Sequence, residues 1–252
     1  MRLRTVDAIR YVTPLREGGS LPGLVEGDDD GLYVAKFRGA GQGPKALVAE
    51  VIAGELGRAL GLRIPELVLV SIDPQLASAE PDLEIQDLLA ASAGVNLGVD
   101  FLPGALPFSP AVGPAPKGAQ AADIVWFDAF ITNVDRTARN TNLLTWHGDL
   151  WLIDHGASLY FHHAAAPSVG EERTAFRAIS DHVLLPVAAS IADADARLAS
   201  QVTAALIDAV VQAVPRDWAD DGDMQRYRDY LLGRLAAPRA FVEEAERARG
   251  RR

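Results

Sequence analysis

Residues 133–156 read NVDRTARNTNLLTWHGDLWLIDHG and guide the interpretation of the whole chain. The segment opens with a polar loop in which Asp135 and Asn140 lie five positions apart. Two apolar runs follow, NLLTW at 142–146 and LWLID at 150–154. Apolar runs on either side of a short glycine-containing turn predict a β-hairpin. Because a hairpin reverses the chain, we expect Asp154 to lie close to Asn140.

The three side chains Asp135, Asn140 and Asp154 carry oxygen atoms of the kind that Mg²⁺ prefers. Transfer of the γ-phosphoryl group of ATP requires a metal held between the phosphates, a group that positions the acceptor hydroxyl, and cationic or backbone donors for the phosphate charge. Taken singly, each residue has a plainer interpretation as a cap, a turn residue or the end of a strand. Their joint spacing around a hairpin favours phosphoryl transfer.

A candidate for the phosphate-binding cation is Lys36, at the end of the apolar strand YVAKF. A lysine in this position is also typical of an exposed edge strand. The strand follows a glycine-rich hairpin and precedes a helix, which is the order in which kinases place this lysine and its glutamate partner. Both Glu50 and Glu55 are candidates for the partner. We favour Glu50, because it lies nearer the helix start and because Gly54, one turn on, would allow close approach to a cleft.

Two glycine-rich loops are candidates for covering the phosphates. The first spans 16–23 and contains Gly18, Gly19 and Ser20, and the second spans 38–44. Glycine lets backbone N–H groups approach phosphate oxygens closely, although either loop is also compatible with a plain turn. The first loop is favoured, since it joins the two strands that precede Lys36.

The spacing of the apolar residues and the positions of Gly- and Pro-rich breaks predict an α+β fold with two lobes. Strands are predicted at 8–15, 24–26, 32–37, 66–73 and 97–102, and helices at 46–60, 82–91 and 121–131. Residues 1–102 would form a small antiparallel-sheet lobe with one main helix, and 121–252 a mainly helical lobe. Residues 103–120, rich in Pro, Gly and Ala, would connect them. Amphipathic helical stretches are expected near 181–193, 196–214 and 223–247.

Composition excludes several classes of protein. The 252 residues include 24 Lys and Arg against 34 Asp and Glu, a formal net charge of −10 that argues against binding to nucleic acid or to an anionic membrane. The absence of cysteine excludes a thiolate nucleophile and Cys-ligated zinc. The histidines form no HExxH pattern, and His155 is expected to shape the turn in IDHG. With no signal-like or membrane-spanning apolar run, we expect a soluble cytoplasmic protein.

The pattern NxDRxxxN followed by IDHG resembles that of the HipA-like kinases and, more remotely, of the phosphoinositide lipid kinases. In this resemblance Asp135 matches the catalytic aspartate, Asn140 the metal-binding asparagine, and Asp154 the second metal ligand. The resemblance implies a bilobal kinase fold over nearly all of residues 8–250, in a form without the extra N-terminal subdomain of longer relatives. One departure is Thr137, where HipA-like proteins usually have histidine.

The resemblance also implies ATP and Mg²⁺ as cofactors, with the adenine near Phe101 and Leu102. It favours a serine or threonine hydroxyl of a protein as the acceptor, since small-molecule kinases generally show HGDxxxxN instead. A small-molecule or lipid kinase and a nucleotide-binding pseudokinase remain alternatives. Self-phosphorylation in the loop that covers the phosphates is a family property that would fall on Ser20. The oligomeric state and any regulatory partner are left open.

Overall fold

The computed structural model describes residues 1–15, 21–40, 43–78, 80–112, 115–163 and 170–251. The N-terminal part contains strands β1 (Thr5–Pro14), β2 (Gly23–Gly27), β3 (Leu32–Lys36), β4 (Leu67–Ile72) and β5 (Gly94–Asp100). Helix α1 (Gly43–Ala59) lies between β3 and β4. Two short helices, α2 (Pro74–Ser78) and α3 (Leu83–Ala91), lie between β4 and β5.

Within the described residues these strands form a closed barrel in the order β1-β2-β3-β5-β4. Neighbouring strands are antiparallel except for β1 and β4, which pair in parallel, for example Val6 with Val70. The prediction of an antiparallel sheet is therefore wrong at this pair. Strand β4 is reached after a crossover through α1, as a parallel pair requires, and its pairing with β1 leaves neither strand with an open edge.

The apolar sequence of β4 reflects burial on both of its faces. Val68, Val70 and Ile72 join a hydrophobic cluster with side chains of α3, whereas Leu67 and Leu69 pack into the larger core around α1. A strand that is covered on both sides has no polar face, so its sequence reads as a continuous apolar run.

Helix α1 is buried along most of its length between the barrel and the helices that follow it. Gly57 permits this packing, because a Cβ there would lie 2.5 Å from Cδ1 of Ile64 and 3.0 Å from Cζ of Phe127. At Gly54 an added Cβ would lie 2.6 Å from Cδ1 of Leu67, so this glycine faces β4. The expectation that Gly54 opens toward a cleft is wrong.

The C-terminal part begins with α4 (Gly118–Phe130) and is mainly helical. Strands β6 (Leu106–Pro107), β7 (Leu143–Trp146) and β8 (Asp149–Leu152) form a small antiparallel sheet that contains the predicted hairpin. The hairpin turn consists of His147 and Gly148, both with positive φ (49° and 81°). Helices α5 (Ile191–Leu198), α6 (Ala204–Val211), α7 (Asp221–Leu235) and α8 (Ala240–Arg249) complete the chain.

All three predicted C-terminal helical stretches have the wrong boundaries. Most of 181–193 consists of 3-10 turns and loop, and α5 begins only after Ser190, whose hydroxyl accepts the N–H of Asp193. The stretch 196–214 is divided at Thr203, which caps α6, and 223–247 is divided at Pro238. Caps and proline end helices even where the apolar period continues. In the described part of the chain, no helix is both long enough and apolar enough to cross a bilayer.

Candidate active site

Lys36, at the end of β3, places its ammonium between two carboxylates. Its Nζ lies 2.9 Å from Oε2 of Glu50 and 2.8 Å from Oδ1 of Asp154. Glu50 projects from α1, and Asp154 follows the hairpin, so barrel, helix and hairpin meet at one cation. The other candidate, Glu55, contacts Arg58 instead, at 3.1 Å.

Burial and charge act in opposite directions on this cluster. The side chains of Lys36 and Glu50 are only 15% and 2% exposed, and this burial disfavours their charged forms. The attraction between the two groups outweighs burial: Glu50 and Asp154 raise the pKa of Lys36 above its ordinary value, and Lys36 and His155 lower the pKa of Glu50 to about 2. Both groups are therefore charged at neutral pH. The side chain of Asp154 is 47% exposed, so its carboxylate is also accessible from solvent.

Glu50→Gln is expected to lower the free energy of unfolding at pH 7 by about 3 kcal/mol, because folding depresses the pKa of this carboxyl from 4.5 to about 2. A carboxyl with a depressed pKa stabilises the fold above its unfolded pKa, and the contribution is lost as the pH falls toward the folded pKa. The difference between wild type and variant should therefore shrink between pH 4.5 and about 2. Urea unfolding at a series of pH values measures it.

Glu55→Gln is the matched control on the same helix. Burial raises the pKa of Glu55 even though Arg58 opposes the shift, so ionisation of this group does not favour the folded state. Its removal should leave the free energy of unfolding at pH 7 unchanged or slightly increased. Equal losses in the two variants would contradict the assignment of the ion pair to Glu50.

The carboxylate of Asp135 is half-buried and is held by two amides. Its Oδ2 accepts hydrogen bonds from Nδ2 of Asn140 (2.7 Å) and from Nδ2 of Asn142 (3.2 Å). The backbone N–H of Asp135 donates to Oδ1 of Asn133 (3.1 Å). Among the described residues, no donor contacts Oδ1 of Asp135, so this oxygen can accept a further hydrogen bond.

Arg136 ties the loop that carries Asp135 to the hairpin. The residue is 1% exposed, and its Nε donates to Oδ2 of Asp128 at 2.6 Å. Its Nη1 donates to the carbonyl of Asn142 and, at 3.3 Å, to that of Ile153. These carbonyls precede β7 and follow β8, so one guanidinium fixes both ends of the hairpin relative to Asp135.

Asp128 is the centre of a buried network below the loop. Besides Arg136 it contacts Nδ2 of Asn133 (3.0 Å) and Nε2 of His182 (2.9 Å). Because Nδ1 of His182 accepts the N–H of Leu184, Nε2 carries the proton and donates to the carboxylate. Burial opposes ionisation of Asp128, but Arg136 and His182 hold its pKa well below the usual range. Burial lowers the pKa of His182.

Thr137 closes the turn between Asp135 and Asn140. Its Oγ1 accepts the backbone N–H groups of Arg139 and Asn140, both at 3.3 Å, and its own N–H donates to the carbonyl of Asn140 at 2.9 Å. These bonds fix the backbone of the turn that carries Asn140.

Asp154 has a left-handed backbone conformation, with φ of 55°. This conformation is uncommon for residues other than glycine and is found preferentially at functional sites. Directly behind it, a Cβ at Gly156 would lie 3.5 Å from Oε2 of Glu50, so the turn packs closely against α1.

A small cavity opens beside Lys36, Glu50 and Asp154, and its other walls include Ala40 and Gly43. Ala40 and Gly43 both belong to the second glycine-rich loop, so this loop borders the cluster of Lys36, Glu50 and Asp154. Residues 16–20 of the favoured first loop, which include Gly18, Gly19 and Ser20, lie outside the described residues.

Phe101 and Leu102 follow β5, next to the barrel strand that carries Lys36. The N–H of Phe101 donates to the carbonyl of Leu32, and Leu102 is 6% exposed. Lys36 pairs with Leu97 on the neighbouring strand. Phe101 lies four residues beyond Leu97, which at the rise of a strand is about 13 Å from Leu97. Phe101 and Leu102 therefore lie beside β3 but are not in contact with the charged cluster around Lys36.

The oxygen groups present fit a magnesium ion that is shared with phosphates. In the described ranges, no group of three or more His, Cys, Asp or Glu side chains is arranged to hold a metal ion. Asp154 offers an accessible carboxylate. The amide nitrogen of Asn140 donates to Asp135, which leaves its amide oxygen without a donor among the described residues. Mg²⁺ is commonly held by one or two protein oxygens with substrate phosphates and water, which this arrangement matches.

Comparison with known proteins assigns the chain to a family. The sequence model of the HipA-like kinases matches residues 8–235, whereas no curated protein sequence matches significantly. Among solved structures, the crystal structure of a Helicobacter pylori proinflammatory kinase, CtkA, is similar, with a TM-score of 0.61 and 13% sequence identity over 98% of this chain and 99% of that chain. At this identity the likeness shows a shared fold. Since the family match spans most of its length, the chain belongs to the HipA-like kinase family.

Proposed function

We propose that this protein is an ATP- and Mg²⁺-dependent kinase that phosphorylates serine or threonine hydroxyls of proteins. The observation that carries the proposal is the meeting of Lys36, Glu50 and Asp154, joined through Arg136 to the loop of Asp135 and Asn140. Membership of the HipA-like kinases supports phosphoryl transfer, and the form NxDRxxxN supports a protein acceptor.

The residues divide the chemistry between them. Asp135 orients the acceptor hydroxyl through Oδ1 and takes its proton late in the reaction, while Asn140 and Asn142 hold the carboxylate in place. Asp154 and the Asn140 amide oxygen would hold Mg²⁺, which supplies charge neutralisation for the phosphates when bound. Lys36 offers its ammonium to the same phosphates, and Glu50 keeps that ammonium charged.

Nucleotide binding would occupy the face between the barrel and the helices. The adenine would lie near Phe101 and Leu102, and the triphosphate would extend along β3 toward Lys36. The same proposal includes a division into two lobes that are connected by residues 103–120. This connection directly follows Phe101 and Leu102 and would therefore lie beside the adenine.

Asp135→Asn provides the decisive test. The isosteric amide should preserve ATP binding, measured as a rise in melting temperature with ATP and Mg²⁺, but should lower transfer from labelled ATP to lysate proteins by about 10²- to 10⁴-fold. Acid hydrolysis of the labelled products should yield phosphoserine or phosphothreonine.

Three other outcomes would decide between the alternatives. A wild-type protein that binds ATP without transferring phosphate is a pseudokinase. Transfer to lipids or aminoglycosides but not to proteins would correct the acceptor class. If millimolar ATP with Mg²⁺ gives no thermal shift, the nucleotide site itself is refuted.

A further inference from the structure

His155 is buried in the turn that carries Asp154, and no step of the proposed chemistry has been assigned to it. It is 1% exposed, and its carbonyl accepts the N–H of Ser158 (2.9 Å), which fixes the backbone of the turn. The ring packs edge-on against Phe127 of α4, with centroids 6.2 Å apart and an interplanar angle of 73°. The imidazole thus fills the space between α4 and α1.

The other side of the ring faces the Lys36 partner. Nδ1 of His155 lies 3.7 Å from Oε1 of Glu50, whereas Lys36 contacts Oε2 of the same carboxylate. A lone pair on Nδ1 would repel the carboxylate, so the proton of a neutral ring belongs on Nδ1. The distance is longer than a hydrogen bond, so the N–H group acts on the carboxylate through its dipole.

We propose that His155 is a positioning residue, whose Nδ1–H orients the Glu50 carboxylate so that a single oxygen contacts Lys36. Because Oε1 of Glu50 faces Nδ1 of His155 and Oε2 faces Nζ of Lys36, a rotation of the carboxylate that would bring both oxygens to the ammonium is disfavoured. Lys36 thereby keeps its position beside Asp154, where the phosphates would arrive. The role rests on the proposed kinase function, because it concerns the placement of the phosphate-binding lysine.

Two substitutions separate the N–H donor from the ring. His155→Asn retains an N–H group near the position of Nδ1 but loses much of the ring, whereas His155→Phe retains an aromatic ring against Phe127 but has no donor. The proposal predicts that the Asn variant keeps kcat within about threefold of wild type and that the Phe variant loses about tenfold or more, as for loss of a contact to a charged group. If His155 only fills space, the Phe variant should instead keep a higher kcat than the Asn variant.

Two measurements that do not depend on turnover accompany the kinetics. The dissociation constant of ATP, determined by calorimetry, should increase in His155→Phe and stay near the wild-type value in His155→Asn. Urea unfolding should rank the variants in the opposite order, because the smaller Asn side chain leaves a cavity beside Phe127. If the Phe variant binds ATP more weakly but is more stable than the Asn variant, His155 acts by positioning Glu50 and not only by packing.

The outcomes also separate this inference from the proposed function. If the wild type transfers phosphate and the Phe variant is as active as the Asn variant or more so, His155 has no positioning role. If the wild type binds ATP without transfer, the kinase proposal fails, and the order of the ATP dissociation constants still decides the role of His155. If the wild type binds no ATP, both are refuted.

Discussion

Asp154→Asn is expected to reduce phosphoryl transfer by about 10³-fold and to abolish the Mg²⁺ dependence of ATP binding. The substitution removes the carboxylate that is most accessible in the cluster, at 47% exposure, and with it one of the two proposed metal ligands. Asparagine tolerates the left-handed conformation at this position, so the turn should keep its shape. Calorimetric titration with ATP, with and without Mg²⁺, measures the effect.

Asp149→Asn is the matched control for this prediction. Asp149 lies on the same hairpin, its side chain is also 47% exposed, and it contacts a cation, Arg63, at 3.1 Å. Its loss should leave transfer and Mg²⁺ dependence near the wild-type values, since exposed ion pairs contribute little. Asp154 would be excluded from the metal site if its variant behaved like that of Asp149.

Lys36→Met is expected to lower kcat/KM by about 10²- to 10³-fold, because it removes the cation that is proposed to neutralise the phosphate charge. It should also destabilise the fold. Glu50 is 2% exposed, and without Lys36 a buried carboxylate loses its main partner, at a cost of about 3–5 kcal/mol. Steady-state kinetics and urea unfolding measure the two effects.

A double variant separates them. Lys36→Met combined with Glu50→Gln removes the unpaired charge, so much of the stability lost in Lys36→Met should return. Transfer should remain as low as in the single variant. Recovery of activity together with stability would show that Lys36 supports the fold and not the reaction.

The sequence predicted the hairpin because its signals are local. The turn at His147 and Gly148 and the flanking apolar runs specify strand pairing over a few residues. The pairing continues to a hydrogen bond between Ile153, the neighbour of Asp154, and Asn142, at the end of the loop that carries Asp135. The order of the β3 lysine and the α1 glutamate likewise follows from neighbouring elements. The choice between Glu50 and Glu55, by contrast, depended on which face of α1 meets Lys36, and the argument from Gly54 was mistaken.

Features that depend on distant segments were missed. Closure of the barrel requires β1 to pair with β4, and nothing in either strand marks the other as its partner. Asp128 and His182 form a buried contact although they are 54 residues apart in the sequence. No local sequence pattern predicts such a contact. The C-terminal helix boundaries failed for a different reason: Ser190, Thr203 and Pro238 carried the signal, but the amphipathic period was given more weight.

The hydrogen bonds of Arg136 have a consequence for motion. A single rigid planar group connects the segment before β7 with the segment after β8, and Asp128 anchors that group in the helical core. We therefore expect thermal displacement of the hairpin to move Asp135 and Asp154 together as one body. In the proposed reaction, the spacing between Asp135, which would orient the acceptor, and Asp154, which would hold the metal, should therefore stay the same if the barrel with Lys36 shifts as nucleotide binds.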